Sequence, residues 1–166
     1  RDEFIRRLRE KINTLAETQS LLSMNHWRSV SLRELAIKSL QAFEPQPDHP
    51  QIDIQADDDF QVTPRAAFAM SLLLNELGTN SVKHGALGAS GGRAIFSWTQ
   101  GPTIKFDWQE KLVTPRVFGE PGNGFGSMIL KRIVPKTFGG EAIFDIQPEG
   151  FSYSVTANPN RVRINT

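Results

Sequence analysis

The stretch from Thr63 to Gly85 constrains this chain more than any other. Thr63-Pro64 joins a hydroxyl able to cap a helix to a proline, whose fixed φ and missing N–H suit a first helical turn. Gly85 stands where such a helix can stop. Between them Ala67, Met70, Leu74 and Leu77 recur at steps of three and four, so one face needs cover. At 1.5 Å per residue the helix is roughly 30 Å long, and its partner must be a broad apolar surface. The later sequence offers one. Residues 93–99 and 103–110 read as strands around Gly101-Pro102, and 141–147 and 151–157 as a second hairpin around Pro148-Glu149-Gly150.

Upstream, residues 2–23 are polar apart from Phe4, Leu8, Ile12, Leu15 and Leu22, which draw a narrow stripe along a long helix. That stripe packs either on the rest of the domain or on a helix from elsewhere. Asn25-His26-Trp27 breaks the pattern. Ser31 and Glu34 have capping-box spacing, predicting a helix from Leu32 to about Phe43 that Pro45 and Pro47 close. Residues 51–55 and 60–62 read as short strands, and Asp57-Asp58-Asp59 between them as a solvated turn rather than a metal site. Residues 111–123 read as a loop. Gly124-Phe125-Gly126 opens a short helix predicted to end at Pro135. The order predicts an α+β fold: a long leading helix, then a two-layer sandwich with helices on one face of a mixed, mostly antiparallel sheet.

Composition removes several classes of function. A chain of 166 residues buries one real core. It has no cysteine, hence no disulfide and no thiolate metal site, and His26, His49 and His84 are too scattered for a zinc cluster. With 19 Lys+Arg against 18 Asp+Glu, nothing in bulk charge favours nucleic acid or an anionic membrane. No apolar run approaches the roughly 20 residues of a membrane span and no signal peptide opens the chain, so the expectation is a cytoplasmic protein without a membrane segment.

Three polar elements are candidates for chemistry. Glu76, Asn80, Lys83 and His84 project within a roughly 100° arc of the long helix. An amide oxygen there can ligate Mg²⁺, a lysine can meet a phosphate, and a carboxylate can orient a nucleophile; the same residues can also simply solvate a helix face. Gly122-Asn123-Gly124-Phe125-Gly126 precedes a helix start, where backbone N–H groups favour an anion, yet no Walker lysine follows. Glu110 shares strand parity with Ile104, Phe106 and Trp108. It either ends a core-facing row, where a carboxylate can read a base amino group, or turns to water beyond a strand that stops at Trp108.

These elements come in an order that resembles the sensor histidine kinases. The run from Asn75 to Leu87 is similar to their N-box. Trp108-Gln109-Glu110 is similar to the Trp-x-Glu signature of the HWE subgroup, and Gly124-Phe125-Gly126 to its phosphate-side glycine box. Phe138-Gly139-Gly140 and Pro148-Glu149-Gly150 resemble the family's closing strands. Leu21-Leu22 and the run Trp27 to Leu32 resemble its linker into the ATP domain. The resemblance spans nearly the whole chain. Two positions depart from it: Asn75 stands for the subgroup's N-box histidine, and Lys111-Leu112-Val113 for Gly-Gly-Pro, which stiffens the backbone beside the adenine.

The resemblance implies a Bergerat-type ATP-binding fold, with residues 1–26 as the second helix of a dimerisation and phosphotransfer bundle and 27–166 as the catalytic domain. It implies ATP and Mg²⁺ as cofactors, with the loop 111–123 as a lid. Asn80 holds the metal, Glu76 assists phosphoryl transfer, and Lys83 and His84 line the phosphate side. Trp108 and Glu110 belong to the adenine side. Gly122, Gly124, Phe125, Gly126 and Ser127 form the phosphate turn. The implied reaction is transfer of the γ-phosphoryl group to a histidine on a bundle helix that the chain lacks, then to a response regulator receiver domain, in a parent protein that dimerises through the bundle. The alternatives are a degenerate domain that serves as a phosphotransfer scaffold without nucleotide, and another Bergerat-fold kinase or ATPase.

Overall fold

A computed structural model describes residues 2–24, 29–56, 58–116 and 124–164. The Asn25-His26-Trp27 break, the start of the linker at Trp27-Arg28, the 26/27 domain boundary, Gly122 and most of the expected lid lie outside them.

Helix α1 spans Asp2–Met24, and after strand β1 (Val30–Ser31) comes helix α2 (Leu32–Gln41). The Ser31 side chain accepts the Glu34 N–H, as the capping-box spacing predicts. Asp59 supports the same helix start, accepting from the Ser31 hydroxyl and the Arg33 N–H. Strands β2 (Ile52–Ala56) and β3 (Gln61–Val62) lead to helix α3 (Pro64–His84), capped by Thr63 onto Ala66 N with proline at its start. The ends of α3 are those the sequence predicts. Gly85, however, is extended at φ −125° rather than left-handed. Its lack of a side chain serves a close approach instead: a methyl there would overlap Glu110 Oε1.

Strands β4 (Arg93–Gln100) and β5 (Ile104–Lys111) follow, and the chain ends in strands β6 (Ala142–Gln147) and β7 (Gly150–Ala157). They build a five-stranded sheet in the order β2-β4-β5-β7-β6, parallel only between β2 and β4. Alternation puts Ala94, Phe96, Trp98, Phe106, Trp108, Tyr153 and Val155 under the helices. Arg93, Lys105, Gln109 and Lys111 face outward. The sheet therefore has one covered face, the mixed, mostly antiparallel sandwich expected. Its core is aromatic: Phe106 packs at 5.4 Å from Phe138 and Phe96 at 5.8 Å from Trp98, ring centre to ring centre. The apolar residues of α3, including Met70, Leu73, Leu74 and Leu77, are buried against it.

Pro135 does not end the glycine-box helix. Helix α4 (Phe125–Met128) passes through a π turn (Ile129–Ile133) into helix α5 (Val134–Phe138), which stops at Gly139 in the left-handed region, φ 72°. In the π turn Val134 N–H bonds Ile129 O, five residues back. The wider turn makes room for the proline ring, and it leaves Leu130 O without a helical donor, because residue 135 has no N–H. The Tyr153 hydroxyl donates to that carbonyl at 2.7 Å. A tertiary bond thus lets the helix run through a residue that reads as a stop.

A short sheet of β1 with β3, and a last helix α6 (Pro159–Val162) capped by Asn158, are not expected from the sequence reading above. The Asn158-Pro159 pair was the available signal for the latter.

Helix α1 packs on α3, but with its polar side. The stripe residues Phe4, Leu8 and Ile12 remain exposed, at 61%, 42% and 56%, while Lys11 is 3% exposed. The side chains of Leu15 and Leu22 lie outside the described residues.

Candidate functional site

Strand β5 runs through Lys111, so Glu110 continues the inward row; of the two readings open to the sequence, the buried one holds. Its Oε1 accepts from the Ser81 hydroxyl at 2.8 Å and from Ala86 N–H at 2.9 Å, and its Oε2 from the Trp108 indole at 2.8 Å. Burial pushes the carboxyl above the usual carboxylate range, opposed by the donors from Trp108, Ala86 and Ser81. A carboxylate has about four lone-pair sites, so Oε2 retains capacity for one more donor. Ser81 also accepts from Leu87 N–H, which locks the turn after α3 to the end of β5.

On the same helix, within five residues of Ser81, lie Glu76, Asn80 and Lys83. Glu76 is 1% exposed and faces α1. Its Oε1 accepts from Arg7, and Lys11 Nζ lies 2.8 Å from its Oε2. Burial works against the Glu76 charge, but Lys11 and Arg7 outweigh it and hold the carboxyl below its usual range. Burial likewise draws the Lys11 ammonium down, against the pull of Glu76. Lys11 also donates to the Asn75 amide oxygen, so the residue standing for the subgroup's histidine receives a cation from α1. Lys83 pairs with Glu3. Asn80 is half-buried, and its amide has no hydrogen-bond partner among the described residues. His84 is exposed, and its carbonyl accepts from Arg116 at 2.9 Å.

The glycine turn meets this helix face at one point. Gly126 is buried, and a methyl there would overlap the Glu76 carboxylate and the Arg7 guanidinium. Phe125 and Gly124 are exposed and Ser127 half-buried. Glu76 and Gly126 are thus joined directly, while Trp108 and Glu110 form a separate floor at the C-terminal end of α3. Arg7, Lys11 and Ser81, which contact Glu76 and Glu110, are not among the candidates that the sequence offers. The first two look like a solvated helix face, and only a buried carboxylate 65 or more residues away makes them partners.

Among the described residues no group of three or more His, Asp or Glu could hold a metal. The Asn80 amide oxygen, without a partner among the described residues, is a hard oxygen donor of the kind that Mg²⁺ takes. A cleft of about 900 Å³ opens between α1, α2 and α3, touching Phe43, Asn75, Thr79 and Lys83. It meets the candidate site only at Lys83 and reaches none of Glu76, Asn80, Glu110 and Gly126.

The two-layer sandwich matches the fold of histidine kinase catalytic domains. The blue-light-activated histidine kinase of Erythrobacter litoralis superposes with a TM-score of 0.70 at 16% identity, over 94% of this chain and 49% of that one. The histidine kinase ThkA, solved in complex with response regulator protein TrrA, gives 0.53 at 12% identity, over 82% and 42%. The family model for HWE histidine kinase matches residues 1–58. A blue-light-activated histidine kinase from Rhizobium johnstonii is 29% identical over 137 residues, 80% of this chain. The chain is similar to HWE histidine kinases over residues 1–58 and to blue-light-activated histidine kinases over about four fifths of its length. It spans 38% of the length of that relative.

Proposed function

We propose that this chain is the ATP-binding catalytic region of a sensor histidine kinase. The observation that carries the reading is the contact of Gly126 with Glu76, which brings a phosphate-type turn onto the polar face of α3. Glu110 accepts the adenine amino group with the free capacity of Oε2, beside Trp108. Asn80 offers its amide oxygen to Mg²⁺, and Lys83, His84 and the N–H groups from Gly124 to Ser127 face the phosphates, with Gly122 in the same turn. Bound Mg²⁺ neutralises charge on the phosphate oxygens.

Glu76 orients the incoming nucleophile. A histidine ring nitrogen forms a bond to the γ-phosphorus as the bond to the bridging oxygen breaks and ADP leaves. The residues of this chain contribute positioning and charge compensation. The acceptor histidine belongs to a bundle helix; His26, His49 and His84 are not in such a context. The phosphoryl group then passes to an aspartate of a receiver domain, a reading supported by the ThkA–TrrA complex. The parent protein is a phosphoprotein, dimeric through the bundle to which α1 belongs, and acts in the cytoplasm. No described helix is long and apolar enough to cross a membrane.

Calorimetric titration with Mg-ATP tests the reading. Saturable binding that Asn80→Ala weakens by tenfold or more, about 1.4 kcal/mol, is expected. Absence of saturable binding overturns it.

A further inference from the structure

The contact between α1 and α3 holds more positive charge than its carboxylates cancel. Arg6, Arg7, Lys11 and Lys83 meet Glu3, Glu10 and Glu76, which leaves one cation over. The pairs involving Arg6 are exposed, and water screens them. At Glu76 that does not hold. Two cations face one carboxylate there, Lys11 is almost wholly enclosed, and the Arg7 Nε–H is buried with no acceptor among the described residues. An enclosed surplus cation and an unanswered donor both cost free energy that an anion recovers. The surplus sits against Gly126, where a methyl would overlap both Glu76 and Arg7.

We propose, resting on the nucleotide reading above, that Arg7 and Lys11 bind the terminal phosphate of ATP, so that α1 completes the phosphate site begun by α3 and the glycine turn. The Arg7 guanidinium is a planar fork suited to two phosphate oxygens, and its side chain is 27% exposed, open to a ligand from one side. Lys11 adds a point charge at shorter reach. Glu76 keeps both cations in place before the anion arrives, and so α1 approaches α3 with its charged side rather than its apolar one.

ADP lacks the group that these cations meet, so the signature is discrimination between the two nucleotides. Titrating the 166-residue chain with Mg-ATP and with Mg-ADP, beside Arg7→Gln, Arg7→Lys and Lys11→Met, tests it. Arg7→Gln and Lys11→Met should weaken ATP about tenfold and ADP less than about twofold, with Arg7→Lys in between. Circular dichroism checks that each variant folds; should Lys11→Met unfold, the two Arg7 variants decide alone. Equal losses for ATP and ADP, unchanged affinities, or tighter ATP binding overturn the proposal, the last because α1 then obstructs the site. Wild type that binds neither nucleotide overturns the parent reading together with this one.

Discussion

Gly85 lies directly against the Glu110 carboxylate, so close that a methyl at residue 85 would overlap Oε1. The carboxylate that closes the core row of β5 therefore also sets where α3 must stop. Gly85→Ala is expected to push Glu110 off its Ser81 and Ala86 donors, costing about 1–3 kcal/mol. Thermal melting measures the loss, and an unchanged melt would show that the turn relaxes freely.

Glu110 carries a pH signature. Burial raises its carboxyl above the ordinary range of a free glutamate, so between its unfolded and folded values the folded chain binds a proton more readily than the unfolded one. Stability contributed by this group therefore falls as pH rises through that window and is flat above it. Urea midpoints for wild type and Glu110→Gln isolate the effect. The wild-type advantage over the variant should decline with rising pH; a rise instead would mean a depressed carboxyl.

The Tyr153–Leu130 bond makes a coupled prediction. Tyr153→Phe strands a buried carbonyl and should cost about 1–3 kcal/mol. Pro135→Ala restores an N–H five residues beyond Leu130, so in that background Tyr153→Phe should cost less, by a coupling of about 0.5 kcal/mol or more. Additive losses in a double-mutant cycle would mean that the π turn and the tyrosine are independent.

The exposed stripe on α1 is a prediction about association. Serine at Phe4, Leu8 and Ile12 together touches nothing in the core, so each should change stability by no more than about 0.5 kcal/mol. Sedimentation of the wild-type chain should show self-association that this triple variant lacks. Matching monomeric profiles would deny the stripe a partner.

Much of the fold was legible in local signals. Thr63-Pro64 and Gly85 bounded α3, Ser31 and Glu34 began α2, and alternation in 93–110 and 141–157 drew four of the five strands of the main sheet. Parity carried Glu110 to the edge of the core but left its burial open, since the end of a strand depends on the neighbour that pairs with it; here Ala94 does. Pro135 misled because its effect is local only when nothing distant serves the freed carbonyl. The stripe on α1 left two partners open, the domain or another helix, and the fold leaves Phe4, Leu8 and Ile12 uncovered, since hydrophobic periodicity says which side prefers cover and not what provides it.

The sequence by itself determined the elements, their caps and the alternation that makes one sheet face apolar, because backbone dihedrals, capping bonds and side-chain periodicity act over a few residues. Only the tertiary structure decided which charges meet. Lys11 and Asn75 stand 64 residues apart, and no local preference links them. Enclosing Glu76 removes water from its carboxylate, and that loss of solvation is what draws Arg7 and Lys11 from a helix that otherwise reads as solvated.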